Sequence, residues 1–117
     1  MKLYIFGIGG TGARVLKALT MLLAAGSRLP GEIDQVVPVI IDPDTGNGDL
    51  NRTKDILRLY QEIRSKLHEP SGFFHHEIVS VHNLSHETKS IKPEHFHFQM
   101  EDTDENFNDY LGFDRLS

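Results

Sequence analysis

The amino-acid sequence predicts an α/β fold, a Rossmann-like three-layer sandwich built on a mainly parallel sheet of three to four strands. Two observations carry this expectation. The apolar patterning runs strand, helix, strand, helix, strand, an order that implies right-handed crossovers and parallel pairing. A glycine-rich stretch, Gly7 to Gly12, then stands between the first strand pattern and the first helix pattern, where a tight strand-to-helix turn is needed. The chain of 117 residues is read as a single domain, large enough to fold on its own core. Residues 1–70 form a glycine-loop core, and residues 71–117 add a third and fourth strand and an acidic C-terminal helix. The whole reads as a portion of a longer architecture.

Lys2 to Phe6 is a short aromatic and β-branched run ending at Gly7, and it predicts a strand buried on both faces. From Thr11 the apolar residues Val15, Leu16, Leu19, Leu22 and Leu23 recur at helical spacing, with Gly26 placed to end the helix. Val36 to Ile41 is a second strand, in which Pro38 lacks a ladder donor and so suggests an edge or a bulge. A second helix follows, with Ile56, Leu59, Tyr60, Ile63 and Leu67 on one face, Asp49 or Asn51 as its cap, and Pro70 and Gly72 as its stop. Phe73 to Val81 reads as a third strand, Phe74 and Ile78 on one face and Val79 and Val81 on the other. Phe96, Phe98 and Met100 alternate with His95, His97 and Gln99 as a fourth, and Phe107, Tyr110 and Leu111 fall on the acidic helix.

Composition narrows the function classes. Twelve basic against seventeen acidic residues, a net charge of −5, argue against a nucleic-acid-coating role. The absence of cysteine excludes disulfides, thiol nucleophiles and cysteine-ligated metals. No stretch reads as a spanning helix or secretion signal, so a cytoplasmic protein without membrane contact is expected. All seven histidines lie between His68 and His97. No metal site is assigned to them, because His95 and His97 read as the solvent side of an amphipathic strand.

The chemistry concentrates in Gly7-Ile8-Gly9-Gly10-Thr11-Gly12, which contains G-x-G-x-x-G. In a strand–turn–helix setting Gly7 permits the turn, Gly9 lets a phosphate approach the backbone, and Gly12 lets the helix lie close to the strand. Gly10 belongs to the same loop, and the helix N-terminus offers N–H groups and partial positive charge. Thr11 or Arg14 adds a side-chain donor. Replacing Gly9 or Gly12 by Val is expected to abolish binding while leaving the fold intact. An acid at the end of the second strand would meet ribose hydroxyls, and Asp42 stands there; Asp44 would hold Mg²⁺ or contact a base. Thirty residues separate Gly12 from Asp42, more than the roughly 20 of the dinucleotide fingerprint, so GTP or ATP with Mg²⁺ is favoured over NAD. Asp-Pro-Asp is also good turn chemistry in its own right.

Ile5 to Gly12 followed by Ile41-Asp42-Pro43-Asp44 resembles the start of the tubulin superfamily, in particular bacterial tubulin-like proteins. That resemblance implies that Gly9, Gly10, Thr11 and Gly12 contact nucleotide phosphates and that Asp42 and Asp44 lie near the sugar. The same glycine loop, with Asp42-Pro43-Asp44-Thr45 and Leu50-Asn51-Arg52, is also similar to the ThiF-type adenylating enzymes that activate ubiquitin-like and sulfur-carrier proteins. This second likeness implies a ribose contact at Asp42 and a phosphate contact at Arg52. Both families are much longer than this chain. The expected function is therefore a nucleotide-binding module, with no catalytic residues assigned and no complete enzyme implied. The alternatives are a fragment of an adenylating or NAD-dependent enzyme, or a non-catalytic assembly domain that joins a second copy or a partner domain.

Overall fold

A computed structural model of the chain describes residues 1–68, 72–86 and 92–99. Its elements are β1 (Lys2–Ile8), α1 (Gly9–Ala24), β2 (Gln35–Ile41), α2 (Gly48–Ser65), β3 (Glu77–Ile78), α3 (Val81–His86), a 3-10 turn (Pro93–Phe96) and β4 (His97–Phe98). The four strands form one open sheet in which β2 pairs in parallel with β1, β3 and β4. The α/β class and the parallel sheet are therefore as the sequence predicts. Met100 and the acidic helix expected around Phe107, Tyr110 and Leu111 lie outside the described residues.

One lane of the sheet is shared. β3 occupies the half of β2 around Gln35 and Val36, and β4 the half around Ile40 and Ile41. The predicted third strand, Phe73 to Val81, thus shrinks to two residues, and the predicted fourth shrinks likewise. This arrangement explains Pro38. Val36 O accepts from Val79 N, and Asp42 N donates to Phe98 O, so the even-numbered residues of β2 point their backbone groups toward the β3/β4 lane. Pro38 lies between those two points, opposite the break, where no ladder donor is required. It is neither on an edge strand nor at a bulge, which corrects the sequence expectation while keeping its physical reason.

Both long helices cover one face of the sheet. Ala13, Leu16 and Leu23 of α1 meet Leu50, Leu57 and Tyr60 of α2 over Val36, Ile40, Ile78 and Phe96. The buried stripe of α2 is Leu50, Thr53, Leu57 and Tyr60, whereas Leu59, Ile63 and Leu67 are exposed. The predicted face was displaced because Thr53 is not apolar. Its hydroxyl is buried all the same, donating to Ala13 O at 2.7 Å and tying the helices together.

On the opposite face Val37 and Val39 are buried by Val81 of α3 and by Phe98. Phe74 and Ile78 contribute to the helix side, and Val79 and Val81 to the other, the two faces expected of them. Phe96 and Phe98 do not share a face: Phe96 belongs to the helix-side core and Phe98 to the opposite one. A period of two holds only for extended chain, and Pro93 opens a 3-10 turn that carries Phe96 round to the other side.

β1 departs from expectation too. It is the edge of the sheet among the described residues, Phe6 is exposed rather than buried, and the strand runs on past Gly7 to Ile8, which is exposed as well. α1 ends as predicted at Gly26, whose φ of +104° is left-handed. Gly26 N donates to Leu23 O and Ser27 N to Leu22 O, the paired bonds of a Schellman cap.

Candidate functional site

The glycine stretch is divided between strand and helix. β1 runs through Gly7 to Ile8, and α1 begins at Gly9, two residues earlier than the apolar spacing indicates. Gly7 and Gly12 face each other: a Cβ on Gly12 would lie 2.6 Å from the Gly7 carbonyl carbon, and one on Gly7 would lie 2.8 Å from Gly12 O and from the Leu16 side chain. These two glycines let α1 lie directly on β1. Gly12 is thus a packing residue, and Gly12→Val cannot leave the fold intact, contrary to the sequence expectation.

Gly9 is different. Its φ is +68°, and nothing lies within 4 Å of where a side chain would project. Ile8, the residue before the helix, makes no side-chain cap, and the first turn of α1 carries no acid. The N-terminal amides of a helix have no intrahelical partner, so this turn presents donors and partial positive charge beside open space.

α2 begins next to it. Its cap is Asn47, not Asp49 or Asn51, and Asn47 Oδ1 accepts from Asp49 N at 2.8 Å and from Leu50 N at 3.3 Å. A Cβ on Gly10 would come within 3.0 Å of Asn47 Nδ2 and 3.6 Å of Asp49 Oδ2. The two helix starts therefore adjoin. Sequence reasoning missed Asn47, although an Asn followed two residues later by an acid is a capping signal.

Asp49 draws two cations together. Arg52 Nη2 lies 2.8 Å from Asp49 Oδ1, and Arg14 Nη1 lies 3.7 Å from Asp49 Oδ2. Arg14 Nη2 also donates to Thr11 Oγ1 at 3.2 Å. The hydrogen bond from Arg52, and more weakly the charges of Arg14, Arg52 and Lys17, hold the Asp49 carboxyl below the usual carboxylate range against partial desolvation. Both arginines keep more than half of their side-chain surface exposed. Arg14 and Arg52, 38 positions apart in sequence, thus share Asp49 at the starts of α1 and α2.

The acids sit at the same end of the sheet, since Ile8 pairs with Ile41 and Asp42 follows directly. Asp42 is only 5% exposed. Its Oδ1 accepts from Asp44 N at 2.9 Å, and Asp44 Oδ1 in turn accepts from Gly46 N at 2.8 Å, so both carboxylates shape the turn. β4 anchors this corner: Phe98 O accepts from Asp42 N, and His97 Nε2 donates to Asp42 O at 2.7 Å. His97 is thus a clamp on the strand end rather than part of a solvent face. Asp44 is the exposed acid of the pair.

Three of the other histidines stack together. His82 and His86 share one face because that segment is helical, with ring centroids 4.1 Å apart, and His95 stacks on the other side of His82 at 3.8 Å. Among the described residues no group of three or more His, Asp or Glu is placed to hold a metal ion. Burial, joined by the charges of His95, His86 and Lys92, lowers the His82 pKa; burial also lowers that of His95, with Lys92 and His86 acting in the same sense and Glu94 opposing. The folded protein therefore binds these protons less readily than the unfolded chain. Their contribution to stability is complete above the ordinary histidine pKa of about 6.5 and declines as pH falls through it toward the depressed folded values. Urea midpoints measured between about pH 8 and pH 5 should fall on acidification, and His82→Asn should flatten that dependence.

Among the described residues no helix is long and apolar enough to cross a membrane. In comparisons with known proteins, the chain matches no family model, no curated protein and no solved structure.

Proposed function

We propose that this chain is a nucleotide-binding module that takes the phosphates of GTP or ATP, with Mg²⁺, at the first turn of α1. The observation that carries the reading is Gly9, a left-handed residue with open space above it at an uncapped helix start, flanked by the exposed Arg14 and Arg52. In this reading the Gly9, Gly10 and Thr11 amides receive the phosphate oxygens, while Gly7 and Gly12 only set the helix on the strand. Arg14 and Arg52 turn from Asp49 to the phosphates. Asp44 is the acid open to Mg²⁺ or a ribose hydroxyl, and Asp42 holds the turn that presents it.

Calorimetric titration with GTP, ATP and NAD in the presence of Mg²⁺ tests this. Binding of GTP or ATP is expected to exceed that of NAD. Arg52→Ala should weaken it roughly tenfold or more, the worth of a hydrogen bond to a charged group. Asp49→Asn, which removes the competing carboxylate, should tighten it. Neither heat nor thermal stabilisation at millimolar GTP or ATP would overturn the proposal. ATP–pyrophosphate exchange lost in Arg52→Ala would extend the reading to adenylation.

A further inference from the structure

The Asn47 side chain faces two helices at once. Its Oδ1 accepts from Asp49 N at 2.8 Å and from Leu50 N at 3.3 Å, which fixes the carboxamide, because only its oxygen can receive backbone donors. The nitrogen is thereby turned toward α1: a Cβ on Gly10 would lie 3.0 Å from Nδ2 and 3.6 Å from Oδ1. Gly10 leaves that space free. Among the described residues Nδ2 donates to no acceptor, although it stands beside a helix start that no side chain caps. Two neighbouring carboxylates indicate what such donors would meet. Asp49 Oδ2, 3.6 Å from the same point on Gly10, already brings negative charge among them, held there by Arg14 and Arg52. Asp42 follows Ile41, the partner of Ile8, and is 5% exposed, yet among the described residues only its Oδ1 accepts a hydrogen bond. A carboxylate so buried leaves a donor for its second oxygen to be supplied from outside the chain.

We propose, resting on phosphate binding at the first turn of α1, that Asn47 is a ligand-binding residue as well as a helix cap. Its Nδ2 donates to a phosphate oxygen of GTP or ATP seated on the Gly9, Gly10 and Thr11 amides, while its Oδ1 keeps hold of α2. The start of α2 is then part of the site. A carboxamide suits this task for three reasons. Held already by two hydrogen bonds to its oxygen, it loses little further freedom when the ligand arrives. Being neutral, it is not drawn to Asp49 as Arg14 and Arg52 are, so it is open to the ligand before either arginine turns. Its bond to a charged oxygen is of the stronger kind. A phosphate on Nδ2 also steadies the side chain whose other atom caps α2, so that ligand and helix support each other.

Asn47→Asp separates the two roles. Asp caps a helix about as well as Asn, and its charge is favourable near a helix N-terminus, so the urea midpoint should stay at or above that of the wild type. It also replaces the donor by a carboxylate oxygen. Calorimetric affinity for GTP or ATP with Mg²⁺ should therefore fall about a hundredfold, through loss of a charge-assisted bond and repulsion of like charges. Asn47→Ser, which caps but carries no amide, should lose about tenfold. Wild-type binding with unchanged affinity in a folded Asn47→Asp protein would overturn the proposal and leave the nucleotide reading standing, whereas absence of binding by the wild type would overturn both. If both variants unfold, the Asn47 side-chain amide of the wild type decides. Its proton resonances should move downfield and exchange more slowly on titration with GTP or ATP, and resonances that stay unchanged while the nucleotide binds would overturn the assignment.

Discussion

Gly12→Ala will lose roughly 3 kcal/mol of stability or more, at the upper end of what overpacking a close contact costs, whereas Gly9→Ala will lose only about 1 to 2 kcal/mol. The difference follows from what surrounds each position. At Gly12 the added methyl lands 2.6 Å from the carbonyl carbon and 2.8 Å from the Cα of Gly7, both backbone atoms of the strand beneath, so helix and strand must separate. That separation would also disturb Leu16, which meets Gly7 from the same side and belongs to the helix-side core. At Gly9 the methyl meets open space, and the loss is that of a left-handed φ alone. Urea denaturation of the two variants checks this directly. Equal losses would show that the contact between Gly7 and Gly12 does not govern the turn. The comparison also decides which variant is usable in a nucleotide titration, because only the Gly9 variant retains a native scaffold.

Phe96→Ala is the second large effect, expected at about 3 to 5 kcal/mol, the range for truncating a buried aromatic. Phe96 is 1% exposed and completes the core shared by α1, α2 and the sheet. It also seats the turn from which β4 departs. Releasing that turn frees His97 and Phe98, the residues that hold the backbone of Asp42. The loss should therefore appear twice: in the unfolding free energy, and as faster amide exchange at Asp42 and Asp44 under native conditions. Loss of stability with unchanged exchange at Asp42 would show that β4 is not what anchors the acidic corner.

The candidate site was legible only in part. G-x-G-x-x-G after a strand pattern located the turn, and Asp-Pro-Asp located the strand end, because both are local chemistry: φ preferences and side-chain-to-backbone bonds within a few residues. Asn47 and Asp49 escaped notice as site residues because what they do depends on α2 starting beside α1. The meeting of Arg14 and Arg52 escaped for the same reason. In the second half, the alternation of Phe96 and Phe98 suggested one apolar face, and the 3-10 turn opened by Pro93 divided them between two cores.

By itself, then, the sequence determined the α/β class, the parallel pairing, the positions of both long helices and the place of the glycine turn. Each follows from periodicity and from residues whose backbone freedom is unusual, properties that act over a few positions and need no distant partner. Only the tertiary structure decided that β3 and β4 share one lane, that Pro38 is harmless opposite their break, and that β1 stands at the sheet's edge among the described residues. It also separated Gly7 and Gly12, which touch each other, from Gly9, which faces open space. These are outcomes of which elements come to lie side by side, set by long-range burial and hydrogen bonding that no local pattern encodes.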